Sequence, residues 1–93
     1  MEYVKLGNTG LKVSKLCLGT MTMGSMNDEK EAFRILDAAL DNGINFIDTS
    51  NHYGGGVGHR GRVETIIGKW FQQDKSKREK VVLNTKSYYN MED

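Results

Sequence analysis

The chain has 93 residues, 38% of them hydrophobic and 27% charged, with a formal net charge of +1. That length allows at most one small domain, and the composition suits neither a disordered segment nor a polyanion-binding one. No window approaches the ~18 apolar residues of a membrane span. The N-terminus lacks the apolar core of a signal peptide. Cys17 stands alone, so no disulfide framework is expected and a reducing cytoplasm is the default. Its neighbours Leu16 and Leu18 make it a core thiol in expectation. Basic and acidic residues are interspersed, which argues against a nucleic-acid partner.

In chain order, residues 3–6 and 11–13 flank Gly7-Asn8-Thr9-Gly10 and read as a β-hairpin. Residues 15–19 read as a short strand, with Leu16 and Leu18 on one face and the small Cys17 and Gly19 on the other. Small residues on one face suit the crowded inside of a barrel. The strand gives way to a loop at residues 20–24. Asp28 can cap a helix, with Glu31 completing a capping box. Ala32, Phe33, Ile35, Leu36, Ala39 and Leu40 then form an apolar stripe, which Asn42-Gly43 ends. Residues 45–48 read as a buried strand that closes on Asp48.

A glycine-rich loop follows Tyr53 and leads to a second helix with Val63, Ile66, Ile67, Trp70 and Phe71 on one stripe, read as core packing. Residues 72–79 read as polar connection and 80–85 as a third strand, ending on Lys86. Strands alternating with amphipathic helices predict right-handed crossovers and a parallel sheet, an α/β fold.

The chemistry collects at strand ends. Asp48 and Lys86 close neighbouring strands and can pair at the top of the sheet, where Tyr53 on the loop after Asp48 can also reach. A lysine held beside a phenol favours the phenolate and eases proton donation to a carbonyl oxygen. The plain alternative is a structural Asp–Lys pair with a nearby exposed tyrosine. Asn84, two residues before Lys86, is polar within an apolar run. Period-two alternation predicts that it shares the inner face with Lys86, bonded to Asp48, Lys86, a backbone group or an ordered water. Gly56-Val57-Gly58-His59-Arg60-Gly61 matches G-x-G-x-x-G. It lacks the strand immediately before it and the following acid that dinucleotide binding requires, so a surface loop is the better account.

Leu6-Gly7-x-Thr9-Gly10-Leu11-Lys12-Val13-Ser14, Leu18-Gly19-Thr20-Met21, Asp48-Thr49-x-x-x-Tyr53-Gly54 and Thr85-Lys86 together resemble the N-terminal third of an aldo-keto reductase. The resemblance implies a partial (β/α)8 TIM barrel: an N-terminal β-hairpin, then the first three parallel strands and two helices, with residues 1–93 ending before strand four. It implies NADPH-dependent reduction of aldehydes or ketones by the parent chain, with Tyr53 as general acid, Lys86 tuning it and Asp48 paired with Lys86. Gly19, Thr20 and Met21, with Asp48, would meet the nicotinamide side of the cofactor. No metal is implied.

The family's catalytic histidine ends the next strand, and neither His52 nor His59 fits that place. The loops for the cofactor's phosphates and adenine lie near the last two strands. Residues 1–93 alone are therefore expected to be inactive, with an open sheet face and edges that could self-associate. A cofactor-sensing, non-catalytic subunit of the same fold and an inert truncated product are the alternative readings.

Overall fold

Two amphipathic helices decide which face of the sheet is covered. The computed structural model describes residues 1–24, 28–54 and 59–87. Helix α1 spans Glu29–Asp41. Its first turn is held by Asp28, in extended conformation, whose carboxylate accepts the Glu31 N–H at 2.8 Å. It ends in a Schellman arrangement, with Gly43 N–H on Leu40 O and Ile44 N–H on Ala39 O. Gly43 takes φ of 85°, where a side chain would be strained. Helix α2, Arg62–Gln73, starts from Gly61 in the left-handed region.

Among the described residues, five short strands accompany them. β1 (Tyr3–Lys5) and β2 (Lys12–Ser14) form an antiparallel hairpin. β3 (Cys17–Gly19), β4 (Phe46–Asp48) and β5 (Val82–Asn84) form a parallel sheet in the order β3-β4-β5. The expected α/β order is present; β2 keeps its expected length but is shifted by one residue, and the other strands are one to three residues shorter than the sequence ranges.

Register sorts the sheet's side chains. Leu18, Ile47 and Leu83 lie side by side, as do Gly19, Asp48 and Asn84. The first set faces the helices. Ile47 is buried with Ala32 and Leu36 of α1 and with Val63, Ile66, Ile67 and Trp70 of α2, and Leu18 and Leu83 pack against this cluster. Burying such a side chain stabilises the fold by about 1.5–3 kcal/mol, so this cluster is the main support of the sheet. Met23 and Val81 complete it.

The other set, with Cys17 and Phe46, faces away from the helices, and that side is open. Cys17 is consequently exposed, which corrects the expectation of a core thiol. Its apolar neighbours misled: Leu18 packs on the helices, but Leu16 lies before the strand and is itself exposed.

The hairpin is fastened at its far side. The Asn45 side chain accepts the Ser14 N–H at 2.7 Å and donates to Lys12 O at 3.0 Å, while the Tyr3 hydroxyl donates to Gly43 O at 2.7 Å. The polar stretch expected as plain connection contains a further helix, α3 (Ser76–Lys80). The Asp74 carboxylate accepts from both Ser76 N–H and Ser76 Oγ and so starts that turn. Among the described residues, no helix is long and apolar enough to cross a membrane.

Candidate active site

The C-terminal ends of β4 and β5 stay joined beyond the strands themselves. Thr49 N–H donates to Asn84 O, and Asn51 N–H and Ser50 Oγ both donate to Lys86 O. This pairing carries Lys86 level with the loop that bears Tyr53. The Tyr53 backbone is set by its N–H on Ser50 O and by its carbonyl, which accepts from Val63 N–H at the start of α2. On the other flank, Thr20, fully buried, donates its hydroxyl to Asp48 O at 2.9 Å and so ties the loop after β3 to β4.

Lys86 Nζ donates to both oxygens of Asp48, at 2.8 and 2.9 Å, and to Thr49 O at 2.8 Å. Nζ also lies 5.2 Å from the centre of the Tyr53 ring, a distance typical of a cation over an aromatic face. Asn84 Nδ2 donates to Asp48 Oδ1 at 2.6 Å. The ion pair at the strand ends is present, and Asn84 lies on the same face of the sheet, bonded to Asp48, as the alternation of strand side chains required.

The electrostatics follow from these contacts. Burial pushes the Asp48 carboxyl up, but its bonds from Lys86 and Asn84 and the Lys86 charge prevail and hold it below the ordinary carboxylate range. The Lys86 ammonium is raised above its ordinary value, first by the bond to Asp48 against a smaller desolvation cost, then by the charges of Asp48 and Tyr53. The pair is half-exposed, so water screens it. The Cys17 thiol is raised, by partial burial and then by the Asp48 charge, with Lys86 opposing. A raised thiol is a poor nucleophile at neutral pH.

The remaining sequence candidates sit around this cluster. Gly19 is opposite Asp48 in the register, and a Cβ there would meet no atom within 4 Å. Met21 is 63% exposed at the rim. His52 is half-buried, and its ring meets the Tyr53 ring edge-on at 6.5 Å. Of the G-x-G-x-x-G stretch, Gly56, Val57 and Gly58 lie outside the described residues, and Gly61 serves as the cap of α2. Among the described residues, no group of three or more His, Cys, Asp or Glu could hold a metal ion.

The sequence reading missed Asn51 and Ser50, whose N–H and hydroxyl both donate to Lys86 O, and the Thr49 carbonyl, which accepts from Lys86 Nζ. Their only signal was the run of small polar residues directly after Asp48, which reads equally well as loop. Asn45 was also missed as a clamp, since a polar residue at a strand entry has many uses.

A cation held by a carboxylate beside a phenol, at the open ends of parallel strands, can assist proton transfer to or from a bound molecule. The profile of the Aldo/keto reductase family matches residues 15–93. An uncharacterized oxidoreductase of Bacillus subtilis (strain 168), YrpG, is 61% identical over 93 residues, which is 100% of this chain and 28% of that protein. An uncharacterized 11.2 kDa protein from the crtE 3' region of Pseudescherichia vulneris is 43% identical over 88 residues, covering 92% of this chain and 85% of that one. The solved holo form of aldo-keto reductase AKR11C1 from Bacillus halodurans aligns at 35% identity with a TM-score of 0.75, covering 91% of this chain and 25% of that chain.

Proposed function

Because this chain belongs to the aldo/keto reductase family, we propose that residues 1–93 form the N-terminal part of a (β/α)8 barrel. We propose further that the whole enzyme reduces aldehydes or ketones to alcohols with NADPH. The observation that carries this reading is the strand-end cluster: Lys86 bonded to both Asp48 oxygens and lying 5.2 Å from the Tyr53 ring. A purely structural ion pair needs no phenol beside it.

In this reading Tyr53 gives its proton to the substrate's carbonyl oxygen. Lys86 offsets the negative charge left on the phenol oxygen, and Asp48 and the Thr49 carbonyl keep the ammonium in place while that charge appears and disappears. NADPH, when bound, would supply the hydride to the carbonyl carbon. The residues present fit the nicotinamide end of that cofactor. Gly19 leaves open space beside Asp48, and the exposed Met21 offers an apolar rim. Thr20, enclosed and bonded to Asp48 O, contributes by holding the loop that carries them both.

The test is carbonyl-dependent NADPH oxidation by the intact gene product, including any sequence that follows Asp93, across a panel of aldehydes and ketones. Oxidation that requires both an added carbonyl and Tyr53 is expected. NADPH binding with no turnover on any carbonyl would support the cofactor-sensing alternative instead.

A further inference from the structure

Asp48 has two direct neighbours across the sheet. On the β3 side stands Gly19, with no side chain; on the β5 side stands Asn84. The carboxylate is therefore unsupported on one flank and depends on the other for its orientation. Lys86 bonds both of its oxygens but reaches them on a long, rotatable stem, half-exposed at its end. Asn84 differs in kind. It sits on the strand itself, directly opposite Asp48, and its shorter side chain holds Oδ1 at 2.6 Å. That length is short even for a hydrogen bond to a charged acceptor.

We propose that Asn84 is a positioning residue: its amide pins the Asp48 carboxylate so that Lys86 is presented toward Tyr53 in one orientation. The purpose assigned to that orientation rests on the reductase reading; the pinning itself does not. An amide suits the task because it donates without adding charge. A cation there would compete with Lys86 for Asp48, and an apolar residue would leave Oδ1 with Lys86 as its sole side-chain donor. The other titratable groups coupled to this pair are Tyr53, which acts on Lys86, and Cys17, which feels both charges. The helices pack on the opposite face of the sheet, where Ile47 is buried. Asn84 itself is exposed, so its substitution does not open a hole in the core.

The experiment compares wild type, Asn84→Leu and Asn84→Asp in the intact gene product. Leucine keeps the approximate shape and removes the donor. Aspartate keeps the shape more closely but sets a second carboxylate against Asp48. Asp48 is followed through isotope-labelled aspartate carboxyl signals as a function of pH, and turnover is followed over the same range. The Asp48 midpoint is expected to move upward in both variants, further in Asn84→Asp, with the acid limb of the turnover profile moving alongside it.

Unchanged Asp48 midpoints in both variants, accompanied only by lower thermal stability, would overturn the proposal. So would loss of the fold in both, since that would make Asn84 a core residue. The carboxyl titration reads Asp48 whatever reaction the enzyme performs, whereas failure of the reductase reading appears as a wild type with no carbonyl-dependent NADPH oxidation.

Discussion

Trp70 is the side chain on which the site's foundation can best be tested. It is fully buried between α1 and α2, its indole N–H donates to Asp37 Oδ1 at 2.8 Å, and the Lys77 ammonium stands 4.9 Å from its ring. Replacement by alanine should cost about 3–5 kcal/mol in lost burial and residual cavity, and the lost hydrogen bond about 1 kcal/mol more. Replacement by phenylalanine keeps most of the apolar volume, and the lost bond plus a small void should cost about 2 kcal/mol. At 93 residues, total stability is expected at roughly 5–14 kcal/mol, and the open sheet face argues for the lower end. Trp70→Ala should therefore be largely unfolded at 25 °C. Trp70→Phe should fold, with a Tm lower by about 8–16 °C. Because Trp70 is the only tryptophan, the transition must be followed by far-ultraviolet circular dichroism. An unchanged denaturation midpoint in Trp70→Ala would refute the claim that the α1–α2 seam supports the sheet.

Two further outcomes follow from the contacts. Asn45→Ala removes the acceptor for Ser14 N–H and the donor to Lys12 O; it should cost about 1–3 kcal/mol and speed amide exchange in β1 and β2 before β3–β5, as read by hydrogen exchange. The pH dependence has a definite sign. Asp48 is depressed in the folded state, so its contribution to stability is complete above about pH 4 and is lost as pH falls through the folded value. Lys86 is raised, so its contribution is complete below about pH 10 and is lost as pH rises through the folded value. The stability difference between wild type and Lys86→Met should be flat between those limits and shrink outside them, as measured by thermal melts across pH.

The parts of this architecture that could be read from sequence were those set by local periodicity. The stripes of α1 and α2 appear in the spacing of Leu36, Ile66, Ile67 and Trp70, and each of these is buried. The Asp48–Lys86 pair and the direction of Asn84 were legible because strand side chains alternate, so one strand end fixes its neighbours. Cys17 was misread because its burial depends on what lies across the open face, which its leucine neighbours cannot report. Helix α3 was invisible for the opposite reason. None of its residues is buried, so no apolar period marks it; the bonds of Ser76 to the Asp74 carboxylate and the seat of Lys77 over Trp70 hold it. The loop that sets Tyr53 against Lys86 is held by backbone bonds at Ser50 and Asn51, and backbone pairing leaves little trace in residue types.

In the proposed reaction Tyr53 gives the proton, Lys86 offsets the charge left behind, and Asp48 keeps Lys86 in place. The measurement that tests it most directly is a comparison of wild type and Tyr53→Phe in the intact gene product, reading carbonyl-dependent NADPH oxidation at saturating substrate beside NADPH affinity. Loss of a positioned general acid should lower turnover by about 10²–10⁴-fold while the affinity stays nearly unchanged. Weakened NADPH binding, with turnover per bound cofactor preserved, would contradict it.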